Sequence, residues 1–538
     1  MLLPHQVVRR NSSVIFNMLK QYHERHANDT KTVAIIVPVV DSDIDVSDSD
    51  VEETKIKDTE YPMKLHNSDV LANLDQKLSH LPPSEYDQLK NLLFDFQNLF
   101  SDVPSQTDLI YHDVDVGNST PIKQHPYRAN PIKLEQIRNE VQYMLRNGII
   151  EPSNSNWSSP CLLVPKPDKS VRFCTDFRKV NNVTKTDSFP IPRIDDCIDS
   201  IGCAKFITKL DLLKGYWQVP LTDRAKEVSA FVTPDALYHY LVMPYGMKNS
   251  QATFQRLVNK LISGIEGCKA YVDDIVIFSD SWEKHIEQLC VLFKVLSEAK
   301  LTINLVKSDF SKATLVYLGH VVGQGHVAPV NAKIDAIVKF PVPVNKRELM
   351  RFLGMAGYYR KFCQNFSDIA APLTNLLCKN VKFIWSNKCQ KSFDFLKYIL
   401  QNAPVLCAPN FECQFILAVD SSDIGAGSVL MQEDDSGLEH PICYFSRKYN
   451  KHQCNYSTVE KEALALLLSL QHFHVYLETT VHPILVFTDH NPLTFLHKIK
   501  NQNQRLLRWS LILQEYNLEI KHIRGKDNVV ADALSRVK

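Results

Sequence analysis

Two groups of acids, set at the ends of apolar runs, carry most of the chemistry in this chain. Residues 268–279 read CKAYVDDIVIFS, so one apolar strand runs into Asp273 and Asp274 and a second leaves them. That pattern predicts a hairpin with carboxylates at its tip, although paired aspartates at a tight turn are by themselves an ordinary surface feature. Sixty-two residues upstream, KFITKLD ends another apolar strand at Asp211. Strand-terminal acids from two segments can meet on one sheet. Phosphoryl transfer onto a 3′-hydroxyl uses two divalent ions about 3.5–4 Å apart, one at the attacking oxygen and one at the departing pyrophosphate. Hard ions such as Mg2+ take carboxylate oxygens and keep several waters. Asp211 and Asp273 suit bridging ligands, with Asp274 as the adjacent acid on the side of the primer end.

The second group lies toward the C-terminus. Asp420 ends the strand FILAVD, Glu462 lies in the first turns of TVEKEALALLLSL, Asp489 ends ILVFTD and Asp532 starts the helix VVADALS. Each acid is ordinary alone, since strand ends and helix starts commonly carry acids. Spacings of 42, 27 and 43 residues bring four acids from four elements toward one face of a sheet, where they predict a two-metal site for phosphodiester hydrolysis.

The elements that must position these acids follow from periodicity. Residues 1–70 show little of it, and the acidic stretch 41–60 reads as solvated linker. Residues 84–100 have helical spacing, 120–322 alternate short apolar strands with loops, and 345–400 look mostly helical. From 412 the order strand–strand–strand–helix–strand–helix–strand–helix predicts an α/β module. Hydrophobic residues at 44% and charged residues at 22% give ordinary globular material. No apolar run reaches the roughly 18 residues of a membrane span, so no membrane partner is expected. Thirteen cysteines without a Cys-x-x-Cys pair argue for reduced thiols and an intracellular setting, and against a zinc knuckle. The formal net charge of +1 conceals nine acids and two lysines within residues 41–60, so the remainder carries a basic surplus suited to a polyanion.

Several motifs carry a family resemblance. Tyr-Val-Asp-Asp at 271–274, RFCTDFRKVN at 172–181, MPYGMKNSQATFQ at 243–255, YLGHVV at 317–322 and FLGMAGYYRKFCQNFSDIAAPLT at 352–374 resemble reverse transcriptases of the Ty3/gypsy type. VDSSDIGAGSVLMQ, NYSTVEKEALAL, VFTDHNPLTFL and HIRGKDNVVADALSR resemble the ribonuclease H of the same retrotransposon Pol polyproteins. The resemblance implies a multidomain α+β and α/β chain: a right-hand polymerase of fingers, palm and thumb, then a connection and an RNase H-like domain. The expected boundaries are 1–104 for an acidic, partly disordered linker region, 105–322 for fingers and palm, 323–411 for thumb and connection, and 412–538 for RNase H.

Carried over by position, Lys166 and Arg172 look like fingers residues that hold the incoming triphosphate; the Arg172 guanidinium can bind phosphate bidentately. Tyr216 matches a steric gate against the 2′-hydroxyl. Tyr245 stands where the family usually has Phe or Gln, at the template or nucleotide. Leu318, Gly319 and His320 match the primer grip. His522 stands where some relatives carry a product-releasing histidine, with a structural role the alternative. The family pattern selects Glu462 over Glu460, which would then be an exposed helix residue. Lys346, Arg347, Arg351, Arg360 and Lys361 are candidate phosphate contacts, or simply solvated helix charges.

The implied activities are RNA-directed DNA polymerase and RNA–DNA hybrid endonuclease, with two Mg2+ ions per site, or Mn2+ in their place. The implied partners are RNA template, DNA primer and product, RNA–DNA hybrid, dNTPs and a tRNA primer. The expected location is the cytoplasm, in virus-like particles, or the nucleus. A catalytically inactive, co-opted nucleic-acid-binding remnant is the alternative, and a DNA-templated polymerase a third reading that the fused nuclease argues against.

Overall fold

A computed structural model describes residues 66–165, 171–434, 436–478, 480–489 and 504–523. Four sheets organise it. A five-stranded sheet runs in the order Ile150–Pro152, Leu237–Tyr240, Phe231–Val232, Ser159–Pro165, Val171–Thr175. A four-stranded sheet follows, in the order Cys268–Tyr271, Asp274–Ser279, Phe206–Asp211, Asp309–Lys312, with every pair antiparallel.

The period-2 pattern of that second sheet gives it two working faces. Leu210, Ile275 and Ile277 pack into a large core with helices Ser250–Ile262 and Trp282–Glu298. Ile207 and Val276 point the other way, into a second core shared with Tyr317, Phe352 and Phe393. Asp211 lies two residues beyond Lys209 and four beyond Ile207 on this second face, and Asp274 lies two before Val276.

A third sheet joins Leu315–Tyr317, His320–Gly323, His326–Pro329 and the short strand Leu406–Cys407. It runs across the boundary expected at residue 322, and the chain returns at 406–407 to pair with 326–327 after a helical excursion. That excursion includes helices Asn331–Val338, Lys346–Tyr358 and Asn387–Gln401.

Residues 66–104, within the expected linker region, hold regular structure that packs on the first core. Helix Pro83–Asp95 buries Leu89, Leu92 and Leu93, and Leu99 and Phe100 follow them into the first core. The Phe100 and Phe293 rings meet edge to face at 6.1 Å. Asn67, 3% exposed, donates to the Ser101 and Ile303 carbonyls and accepts from the Leu305 amide. The apolar spacing of 84–100 therefore marks a helix that completes the first core.

The fourth sheet has the order Glu439–Lys448, Gly425–Glu433, Ile416–Ser421, Ile484–Thr488, Leu518–His522, three antiparallel strands followed by two parallel ones. Helix Thr458–His472 covers one face, burying Ala463, Leu466 and Leu470 against Leu417 and Val419. This is the expected strand and helix order as far as residue 522; the last helix, with Asp532, lies outside the described residues. No described helix is long and apolar enough to cross a membrane.

Candidate functional site

The hairpin that carries Asp273 and Asp274 is tightly constrained. Tyr271 pairs with Asp274, leaving Val272 and Asp273 as a two-residue turn. Val272 has φ +55°, a left-handed conformation that a β-branched residue adopts only under strain. Its amide donates to Gln255 Oε1 at 2.7 Å, while Gln255 Nε2 donates to the Ala270 carbonyl at 3.1 Å. Gln255 is fully buried on helix Ser250–Ile262, so a single side chain ties the turn to its incoming strand.

Asp211 is the cross-strand partner of Asp274. The Leu212 amide donates to the Asp273 carbonyl at 3.2 Å, which makes Asp211 and Asp274 a narrow pair with Cα atoms about 4.5 Å apart. Asn304 Nδ2 donates to Asp211 at 3.1 Å, and the exposed Lys307 ammonium lies 3.5 Å from its other oxygen. Burial raises the pKa of all three acids; the neighbouring carboxylates add to this for Asp273 and for Asp274, which is pushed up to about 6.

Tyr216 sits in the turn Gly215–Gln218, stacked on Tyr245 at 5.0 Å and against Phe254 at 5.5 Å. A Cβ at Gly215 would fall 2.9 Å from Phe254 Cζ and 3.5 Å from Asp273 Cβ, so glycine lets this turn lie against the acids. Arg172 is exposed on strand Val171–Thr175; Lys166 lies outside the described residues.

Leu318 and Gly319, with φ of +45° and +77°, form the two-residue turn between Tyr317 and His320. Tyr358 and Tyr359 hydroxyls donate to the Leu318 and Gly319 carbonyls at 2.6 and 2.9 Å. His320 Nδ1 donates to the Leu318 carbonyl at 3.1 Å, and its ring stacks on Phe362 at 5.6 Å. Burial pushes the His320 pKa down to about 4, which keeps the imidazole neutral.

The second cluster is tighter. Asp420, Glu462 and Asp489 each bring a carboxylate oxygen within 4.8 Å of the others, and no other three acids, cysteines or histidines among the described residues do so. Glu462 is 4% exposed, and its Oε2 has no hydrogen-bond partner. Burial, then Asp420 and Asp489, push its pKa up to about 9. An orphaned buried oxygen facing two carboxylates is a hard-oxygen donor set, and it fits a divalent cation. The palm acids offer the same donor type in a more open arrangement. His522 is the parallel cross-strand partner of Thr488, and its Nε2 donates to the Asp489 carbonyl at 3.1 Å.

Two expectations need correction. Glu460 is not an exposed helix residue: it closes a capping box with Ser457 and ion-pairs with Arg505 at 2.9 Å. Arg360 does not face solvent: its Nη2 donates to the Ser446 carbonyl at 2.7 Å, its guanidinium lies 5.7 Å from the Phe366 ring, and burial lowers its pKa. Lys361 is also committed, to Asp195 at 2.9 Å. Gln255, Asn304, Tyr358 and Tyr359 are the site-supporting residues that sequence reasoning missed. Gln255 and the two tyrosines lie inside the quoted motifs, but their partners are backbone atoms of other segments.

Comparison with known proteins bears on the whole arrangement. Residues 164–322 match the family described as reverse transcriptase (RNA-dependent DNA polymerase). Residues 410–516 match the RNase H-like domain found in reverse transcriptase. The Pol polyprotein from transposon 297 of Drosophila melanogaster is 38% identical over 474 residues, 86% of this chain and 44% of that protein. The transposon Tf2-3 polyprotein of Schizosaccharomyces pombe is 34% identical over 421 residues, 78% of this chain and 31% of that protein. The chain thus spans less than half the length of these relatives. A foamy viral protease-reverse transcriptase solved with double-stranded DNA shares the fold, with TM-score 0.76, 23% identity and coverage of 87% of this chain and 84% of that one. The same kind of protein solved with an RNA/DNA hybrid gives TM-score 0.71, 23% identity and coverage of 90% and 66%.

Proposed function

We propose that this chain, which carries a reverse transcriptase domain and an RNase H-like domain of the retrotransposon Pol kind, copies RNA into DNA and cuts the RNA of the resulting hybrid. The observation that supports this most directly is the pair of acid clusters on two separate sheets of one chain, with burial raising the pKa of Asp211, Asp273 and Asp274 in one and of Glu462 in the other. Asp211, Asp273 and Asp274 would hold the divalent ions of one site; Asp420, Glu462, Asp489 and Asp532 would hold those of the other. Mg2+ or Mn2+, two per site, would supply Lewis acidity and neutralise charge on the reacting phosphate.

The chain's own residues do the positioning. The braced Val272 turn fixes Asp273 and Asp274 opposite Asp211. Tyr216, backed by Tyr245 and Phe254, offers a ring face to the sugar of an incoming dNTP and leaves no room for a 2′-hydroxyl. Arg172 and Lys166 hold the triphosphate. The Leu318–Gly319 turn with His320 seats the primer end. In the nuclease, Glu462 stays aimed at Asp420 and Asp489 from a helix anchored by its capping box, and His522 lies beside them. A hybrid would be recognised by its shape and 2′-hydroxyls rather than by base edges.

The test is primer extension on an RNA template and degradation of a labelled hybrid, both with Mg2+. Asp273→Asn is expected to lose extension and keep hybrid cleavage, and Asp420→Asn the reverse. Loss of both activities in either variant would contradict two independent sites. No activity from the unmodified chain would favour the inactive nucleic-acid-binding reading.

A further inference from the structure

Four consecutive side chains, Tyr358 to Lys361, reach three separate parts of the molecule. Helix Lys346–Tyr358 ends here and the 3-10 turn Arg360–Phe362 begins. Successive residues in such turns rotate by roughly 100–120°, so neighbours in sequence point in divergent directions. Tyr358 and Tyr359 donate to the carbonyls of the strained turn at Leu318 and Gly319. Arg360 donates to the Ser446 carbonyl of the nuclease sheet, which also accepts from Ser367 Oγ at 2.8 Å. Lys361 pairs with Asp195, on helix Ile194–Asp199 of the palm side.

The nuclease attachment point is close to the acids. Ser446 is the cross-strand partner of Gly427, and Gly427 of Asp420. The three residues form one row across the sheet, and with strands about 4.8 Å apart the Ser446 backbone lies roughly 10 Å from that of Asp420. One short segment is thus bonded to the turn expected to seat the primer and to the row that carries a nuclease acid.

We propose that residues 358–361 are the joint that sets the distance along a bound duplex between primer terminus and nuclease cut. This rests on the function proposed above. Tyr358, Tyr359 and Arg360 act as positioning residues: they touch carbonyls of the protein, and their hydrogen bonds hold the primer turn and the nuclease row in one frame. Rotamer locking on both sides removes the slack that would otherwise let the cut wander.

The experiment uses the full chain and a hybrid of 5′-labelled RNA with a recessed DNA 3′-end, and reads the cut position relative to that end. The unmodified chain is expected to give one dominant position. Arg360→Met, which keeps the apolar stem and removes the donor, is expected to spread cutting onto the neighbouring positions on either side, since one base step is only about 3.4 Å along a strand. Extension from a saturating primer should be unchanged in this variant, and Arg360→Lys, which restores a donor, should restore the single position. Tyr358→Phe with Tyr359→Phe removes two hydroxyls and little else, and is expected to broaden the cut in the same way. If Arg360→Met melts below the assay temperature, the tyrosine pair decides the matter. A sharp cut at the unmodified position in the folded variants would overturn the joint alone. Failure of the unmodified chain both to extend and to cut would overturn the function reading and the joint with it.

Discussion

Replacing Gln255 by methionine should silence the polymerase and spare the nuclease. Methionine matches glutamine in length, so the substitution opens little cavity at a fully buried position. It removes the acceptor for the Val272 amide and the donor to the Ala270 carbonyl. Each buried backbone group left unpaired costs about 1–3 kcal/mol, so the hairpin loses roughly 2–6 kcal/mol of support. Val272 at φ +55° stores a further ~1–3 kcal/mol that the brace now holds in place. The turn can shed both costs by letting Val272 leave the left-handed region, which moves Asp273. A misplacement near 1 Å costs about 10²-fold in rate. The assay is steady-state primer extension and hybrid cleavage on one preparation, with thermal melting as a fold control. Extension is expected to fall about 10²-fold while cleavage stays within about twofold. Extension that stays within about tenfold of the unmodified chain would refute the claim that this amide fixes the catalytic turn.

Three further outcomes can be measured. Gly425→Ala places a Cβ 2.7 Å from Asp368 Oδ1 and 2.8 Å from the Arg447 carbonyl, so denaturant unfolding should show about 1–3 kcal/mol of lost stability, with hybrid cleavage hit harder than extension. His285 is buried between Thr208 and Ser279 hydroxyls, with its pKa pushed down by burial to about 4. Its unfolded form takes up a proton near pH 6.5 and its folded form near 4, so its contribution is intact above 6.5 and fades as pH falls toward 4. The slope is about 1.36 kcal/mol per pH unit, and His285→Gln should flatten the acid limb of a stability–pH curve. Tyr216→Ala should lower discrimination against ribonucleotides by about tenfold or more, read as the ratio of kcat/KM for dNTP and rNTP; an unchanged ratio would return Tyr216 to a packing role.

Much of this arrangement is legible in the amino-acid sequence. Apolar runs ending in Asp211, Asp273–Asp274 and Asp420 mark strands because alternation and β-branching are local properties; Asp211 lies opposite Asp274, and Asp420 lies with Glu462 and Asp489, while Asp532 is outside the described residues. Other features resist such reading because their causes are not local. Helical spacing at 84–100 is legible, but not what it packs on: Leu89, Leu93 and Phe100 complete a core whose other half lies some two hundred residues on, around Phe293. Arg360 looks like a duplex contact because arginine usually is solvated; its partner is a backbone carbonyl at 446, which has no sequence signature. Glu460 reads as exposed beside Glu462, although Ser457 three residues earlier spells a capping box. Gln255 sits inside a recognised motif with no visible partner, because its work is to satisfy a turn seventeen residues away.

The two-residue strand Leu406–Cys407 has a wider consequence. By pairing with His326 and Val327 it makes residues 330–405 a closed excursion whose entrance and exit are stapled side by side. Closing so long a loop costs only slowly growing entropy, roughly (3/2)RT ln n. A nick within the excursion would leave two fragments still clasped by neighbouring strands. The nuclease, entering at residue 408 beside Gly325, is rooted on the polymerase hairpin rather than dangling from the tip of the helical block.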